Sequence, residues 1–258
     1  MSVEVHYDLE GPIASPVVML SNSLGTDLGM WDGQLDVLSE HFRVLRYDQR
    51  GHGRSPAPPG PYTIAELAGD ALDLLERLGL ERVSFCGVSI GGMTGQRLAI
   101  NAPERIDRLA LCCTSAYLPP RKTWSERAET VLTQGMEAVA DAALERWFTP
   151  EFRERSPDVV GRARQTLVGT PPEGYAGCCE AIASHDLRGR LDAIHAPTLV
   201  ISGGDDPATP PDHGRQIAEA VEGARFELLE GARHLANVER AEEVNRALLD
   251  HLLAGSRP

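Results

Sequence analysis

Arg82-Val83-Ser84-Phe85-Cys86-Gly87-Val88-Ser89-Ile90-Gly91-Gly92-Met93 runs from an apolar stretch through a glycine-flanked serine into a helical pattern. Residues 82–87 read as a buried strand and residues 91–101 as a helix, joined with almost no loop. Working outward, residues 17–20 and 42–47 read as earlier strands and residues 106–113 as the next one. Residues 63–80 read as a helix: Thr63 and Glu66 have capping-box spacing, Leu67, Ala71, Leu75 and Leu78 repeat on one face, and Gly79 ends it. Strands alternating with helices in this way predict an α/β fold, a mostly parallel central sheet with helices on both faces.

From about residue 117 to residue 190 the alternation stops. Helical stretches such as 137–147 are broken by Pro119, Pro120, Pro150, Pro157, Pro171 and Pro172, and no strand is evident. Beyond it come a strand at 198–202, a helix at 212–221, a strand at 225–229 and one closing helix at 238–253. The expected organisation is a core made of residues 1–116 and 191–258, with residues 117–190 as a helical cap. Such a cap would cover the carboxyl ends of the strands, where open α/β sheets bind ligands.

Bulk properties exclude several function classes. A net charge of −13 over 258 residues, with no basic run, argues against nucleic acid and anionic membrane surfaces as partners. No segment has the length and apolarity of a membrane span, and residues 1–10 carry acids in place of a basic leader, so a cytoplasmic location is expected. The five cysteines, Cys86, Cys112, Cys113, Cys178 and Cys179, form no C-x-x-C pair and read as reduced core residues, with no metal site expected. Nothing here sets the oligomeric state.

Gly87-Val88-Ser89-Ile90-Gly91 fits G-x-S-x-G in the one context that gives the motif mechanical meaning, between a strand and a helix. A sharp turn there lifts the serine hydroxyl off the sheet, and Ser89 is the candidate nucleophile; an ordinary turn serine is the bland alternative. A serine hydroxyl needs a base that works near neutrality, which histidine supplies. Of eight histidines, His234 is preferred because the Gly231-Ala232-Arg233-His234 turn follows a late strand, matching the chain order serine, acid, histidine. His185, His195, His213 and His251 lack that placement, and His52 reads as structural. The acid belongs in Gly203-Gly204-Asp205-Asp206, after the 198–202 strand; Asp206 is chosen and Asp205 is the competitor. It would orient the imidazole and stabilise its charged form. Backbone donors for the oxyanion, each worth about 3 kcal/mol, are assigned to Ile90 and, in the Ser21-Asn22-Ser23-Leu24-Gly25 loop, to Leu24.

These stretches, together with Met30-Trp31-Asp32, Tyr47-Asp48-Gln49-Arg50-Gly51-His52-Gly53 and His234-Leu235-Ala236-Asn237-Val238-Glu239, resemble the 3-oxoadipate enol-lactonases of the α/β-hydrolase superfamily. The likeness runs over nearly the whole length. Asn22-Ser23 stands where many α/β-hydrolases carry His-Gly, and that departure resembles the lactonases specifically. The resemblance implies opening of the ester ring of 3-oxoadipate enol-lactone through an acyl-enzyme, with no cofactor. Its substrate carries a carboxylate, so a cap cation is expected near it. Arg121, Lys122, Arg127, Arg162 and Arg164 are available, and Trp124 and Arg127 are named as substrate contacts against the alternative of packing or solvated charge. A broad carboxylesterase, a cofactor-free perhydrolase and a ligand receptor on the same scaffold are the competing readings.

Overall fold

The computed structural model describes residues 3–254, so Met1 and Ser2 of the acid-bearing first ten residues, and 255–258 at the end of the expected 191–258 core segment, lie outside the described residues. Seven strands form one sheet: β1 (Tyr7–Glu10), β2 (Val17–Ser21), β3 (Arg43–Tyr47), β4 (Val83–Val88), β5 (Ile106–Cys112), β6 (Thr198–Gly203) and β7 (Arg225–Leu229). Their spatial order is β1-β3-β2-β4-β5-β6-β7, every neighbouring pair parallel except β1 with β3. The antiparallel β1 was not anticipated; its side chains are only half-buried, and an edge strand shows no clear apolar run.

Side-chain alternation along the central strands feeds two apolar layers. Val18, Leu20, Cys86 and Ala110 face one layer, and Met19, Phe85, Leu109 and Leu111 the other. Helices cover both: α1 (Asp32–Ser39) and α11 (Ala241–Leu252) add Leu38, Val244 and Leu248 to the first, while α2 (Ile64–Arg77), α3 (Ile90–Asn101) and α9 (Pro211–Ala220) add Leu74, Leu98 and Ile217 to the second. The capping box closes as its spacing implied, with Thr63 Oγ1 accepting from Glu66 N at 3.2 Å and Glu66 Oε2 accepting from Thr63 N at 2.9 Å. The closing helix is corrected: it is two helices, α10 (Ala236–Glu239) and α11, broken at Arg240 with φ −127° and ψ 47°. Apolar periodicity continues across that break, so it left no mark in the pattern.

Between β5 and β6 stand five helices, α4 (Arg121–Gln134), α5 (Glu137–Trp147), α6 (Pro150–Arg155), α7 (Pro157–Gly169) and α8 (Pro172–Ala183). The prolines that interrupt the sequence pattern start helices: Pro150, Pro157 and Pro172 each open one, where a missing N–H costs nothing. Helix α8 lies against the core through glycines. A Cβ at Gly174 would sit 2.4 Å from Gly51 Cα, and one at Gly177 2.6 Å from the Tyr62 ring. Among the described residues, no helix is long and apolar enough to cross a membrane. All five cysteines are buried and unpaired.

Packing and burial each lead to an expected outcome, the first at two glycines. Gly174→Ala should lose about 1–3 kcal/mol of unfolding free energy by overpacking. Gly161→Ala, in open space on exposed α7, should gain about 0.5–1 kcal/mol; urea midpoints read both. The second outcome concerns His52, His185 and His251, which burial pushes down to about 4. Unfolded imidazole takes its proton near pH 6.5, so between about pH 6.5 and 4 the unfolded chain binds more protons than the folded one. Stability is therefore full above that window and falls on acidification through it, by up to about 1.4 kcal/mol per pH unit for each histidine. His52→Gln should remove about a third of that slope in urea titrations; an unchanged slope would show that His52 is not held neutral.

Candidate active site

Ser89 joins β4 to α3 with φ 59° and ψ −118°, a region that L-residues avoid. The surrounding backbone holds it there. Ser89 N donates to Cys112 O at 3.0 Å, while Ser89 O accepts from Met93 N at 3.0 Å and from Thr114 Oγ1 at 2.6 Å. The motif glycines are required by clearance: a Cβ at Gly87 would lie 2.3 Å from Gly91 C, and one at Gly91 would lie 2.3 Å from Ser21 O. Ser89 is 6% exposed, at the carboxyl edge of the sheet. Ile90 opens α3, so its N–H is one of the helix's four unpaired donors, at the positive end of the helix dipole.

Asp206 and His234 meet. His234 Nδ1 lies 2.8 Å from Asp206 Oδ2, with both residues at most 5% exposed. Asp206 is itself tightly held: Oδ1 accepts from Ala208 N at 2.8 Å and Thr209 N at 3.1 Å, and Oδ2 from Thr209 Oγ1 at 2.6 Å. Burial pushes the Asp206 pKa upward, but the His234 charge and these hydrogen bonds outweigh it and leave the pKa below its ordinary value. The carboxylate thus fixes the tautomer with the proton on Nδ1, which leaves Nε2 as the basic nitrogen. Asp205 is exposed and takes no part in this contact. The residues next to Cys112 and Cys113 link the two turns: Ser89 N donates to Cys112 O at 3.0 Å, and Cys113 Sγ lies 3.9 Å from Arg233 O, one residue before His234.

The loop after β2 is braced from beneath. Asn22 Nδ2 donates to Tyr47 O at 2.8 Å, and Asn22 Oδ1 accepts from Trp31 Nε1 at 3.0 Å. His52, read from sequence as structural, accepts from Gly25 N through Nε2 at 2.9 Å, and its Nδ1 faces Arg50 O at 3.2 Å. Ser23 N is directed to Met30 Sδ at 3.3 Å and Thr26 N to Ser23 O at 3.3 Å. Ser23, Gly25 and Thr26 thus have their amides engaged within the molecule, and the start of α3 packs against the same loop, a Cβ at Gly91 lying 2.8 Å from Asn22 O.

The inserted helices form the facing wall. A Cβ at Gly25 would touch Leu167 at 2.5 Å, Tyr175 at 3.2 Å and Trp147 at 3.5 Å. Arg127 stacks on Trp124, its guanidinium 4.5 Å from the ring centroid, and its charge acts on the buried Tyr175. Arg146, which no sequence signal singled out, stands close enough that burial and the Arg127 charge together lower its pKa. The remaining candidate cations do not stack on Trp124 among the described residues. Lys122 pairs with Glu126 at 3.5 Å, Arg164 with Glu137 at 2.5 Å, and Arg121 and Arg162 are exposed. A cavity of about 400 Å³ is lined by Thr26, Met30, Phe148, Arg162, Leu235 and Val238, with none of Ser89, Asp206, His234, Trp124 or Arg127 in its wall. Thr209 was also missed, although its spacing three residues after Asp206 is that of a side-chain-capped turn.

The family model described as alpha/beta hydrolase fold matches residues 16–241. The chain is 41% identical over 246 residues to 3-oxoadipate enol-lactonase 2 of Acinetobacter baylyi, which spans 95% of this chain and 92% of that protein. It is 36% identical to 3-oxoadipate enol-lactonase 1 of the same organism, over 91% of this chain and 88% of that protein. Among solved structures, the enol-lactonase from Burkholderia xenovorans LB400 superposes with a TM-score of 0.95 at 49% identity, covering 97% of this chain and 96% of that one. With a braced serine turn, a buried aspartate–histidine pair and a family match over most of its length, the chain belongs to the alpha/beta hydrolase fold family.

Proposed function

We propose that this chain hydrolyses 3-oxoadipate enol-lactone to 3-oxoadipate, with Ser89 as nucleophile, His234 as general base and acid, and Asp206 orienting the imidazole. The observation that carries the substrate is the likeness to enol-lactonases along the whole chain. The Asn22 brace gives it a physical footing, because Asn22 and Ser23 occupy the positions at which the resemblance departs from other esterases.

In this mechanism His234 Nε2 takes the Ser89 hydroxyl proton as Oγ attacks the ring carbonyl. The oxyanion is held by the N–H groups of Leu24 and Ile90. Collapse breaks the bond to the ring oxygen, and His234 returns the proton to the departing enol, which ketonises and prevents reclosure. Water activated by His234 then hydrolyses the acyl ester and frees Ser89. Residues 117–190 act as a cap over residues 1–116 and 191–258, and Trp124 and Arg127 supply contacts to the substrate. Arg127 and Arg146 place two positive charges near Tyr175, and among the described residues neither forms an ion pair, although the Glu145 charge also acts on Arg146. That local charge counters a chain whose net −13 repels anions, and it suits the substrate's carboxylate.

Purified protein should turn over the enol-lactone faster than short aryl esters, and faster than it brominates with bromide and peroxide; the reverse order would make it an esterase or a perhydrolase. Ser89→Ala should lower kcat by about a millionfold, which would leave a receptor's ligand binding intact. Arg127→Met should raise KM for the lactone about 10- to 100-fold, the worth of a charge-assisted hydrogen bond. It should leave KM for an uncharged aryl acetate within about twofold. Equal effects on the two substrates would remove Arg127 from carboxylate recognition.

A further inference from the structure

Glu239, 6% exposed at the end of α10, joins two stretches of chain that the proposed mechanism does not connect. Its Oε1 accepts from Thr149 N at 3.0 Å and from the Thr149 hydroxyl, and its Oε2 accepts from Arg233 N at 2.8 Å. Thr149 links α5 to α6 and caps α6, its Oγ1 accepting from Phe152 N at 3.2 Å. Arg233 directly precedes His234. The loop around the histidine is tied to the cap on the same side. His234 N donates to Arg146 O at 3.4 Å, Leu235 N to Trp147 O at 3.1 Å, and the Arg233 guanidinium to Glu145 O. Those carbonyls belong to the last turn of α5, where a helix leaves its acceptors unpaired.

Every backbone N–H from 233 to 235 is therefore used either on the cap or on Glu239. The arrangement needs a carboxylate: all three donors at Glu239 are N–H or O–H groups, and an amide side chain would set its own NH₂ against one of them. Packing alone would be met by an apolar residue without a buried charge to satisfy.

We propose that Glu239 is a positioning residue that clamps the α5–α6 junction of the cap to the histidine loop, so that the seating of the cap and the setting of the His234 ring are one equilibrium. This rests on the reading of Ser89 and His234 as nucleophile and base.

The test uses the full chain with Glu239→Gln, Thr149→Val, the double variant and Thr149→Ser. Aryl acetate turnover is normalised to sites titrated with a phosphonate that labels Ser89. Glu239→Gln should lower kcat per titrated site by about 10- to 100-fold, the scale of a misplaced catalytic group. KM should change far less, and the acid limb of the kcat profile should move. Thr149→Val should move both in the same direction, Thr149→Ser should restore wild-type values, and the double variant should be no worse than Glu239→Gln. Hydrogen exchange supplies a readout independent of turnover: in Thr149→Val the Arg233 amide keeps its own acceptor, yet should exchange faster.

Multiplying losses in the double variant, unchanged kcat per titrated site, or unchanged exchange at Arg233 would overturn the clamp. If Glu239→Gln fails to fold, Thr149→Val and the exchange measurement decide the question. A wild-type protein that is not labelled at Ser89 would instead overturn the mechanism beneath, while the exchange result would still test the clamp.

Discussion

The backbone of Ser89 carries the whole arrangement. A β-carbon residue at φ 59° costs about 1–3 kcal/mol and persists only where its surroundings over-determine it. Here they do so with three hydrogen bonds to its N–H and carbonyl, and with glycines that let β2, β4 and α3 approach within distances no side chain would allow. Relaxing that turn would withdraw the hydroxyl from the sheet edge and swing the Ile90 N–H away from it. The same close approach explains why Gly91 sits against Ser21 O: the serine turn and the loop that carries Leu24 are built on one another.

A second level of organisation links loops that are distant in the chain. His52 holds Gly25, Asn22 ties Trp31 to Tyr47, and Thr209 grips Asp206. Each is a buried polar group with its partner in place, and satisfied networks of this kind favour a single arrangement. Burial keeps His52 neutral, which preserves Nε2 as an acceptor for Gly25 N. Electrostatics are divided in the same local manner. The chain carries a net −13, while the partly buried Arg127 and Arg146 set two positive charges near Trp124 and Tyr175.

Much of this was legible before the structure, for physical reasons that differ between residues. Strands β2 to β6 were visible because a parallel sheet buried on both faces needs continuous apolar runs, and β7, a half-buried edge strand, from Phe226, Leu228 and Leu229. Helix α2 was visible because Thr63 and Glu66 satisfy each other locally. Asp206 and His234 could be named from chain order, and their side chains meet at 2.8 Å. The invisible features are those set by distant partners. Arg240 breaks the last helix without interrupting its apolar period. Strand β1 pairs at an edge where little burial is demanded. Arg146 matters through its neighbours Arg127 and Tyr175, and Glu239 through Thr149 and Arg233, none of which sequence spacing brings together. His52 was placed among structural residues, and its bond to Gly25 N makes that structure part of the loop that carries Leu24.

The account stands on a covalent bond between Ser89 and the opened substrate. Rapid quenching of the enzyme with 3-oxoadipate enol-lactone, followed by peptide mass analysis, reads it directly. An adduct with the mass of one substrate should appear on the peptide containing Ser89 and decay as 3-oxoadipate is released. Product formation at full rate with that peptide unmodified at every quench time, or an adduct on another residue, would contradict it.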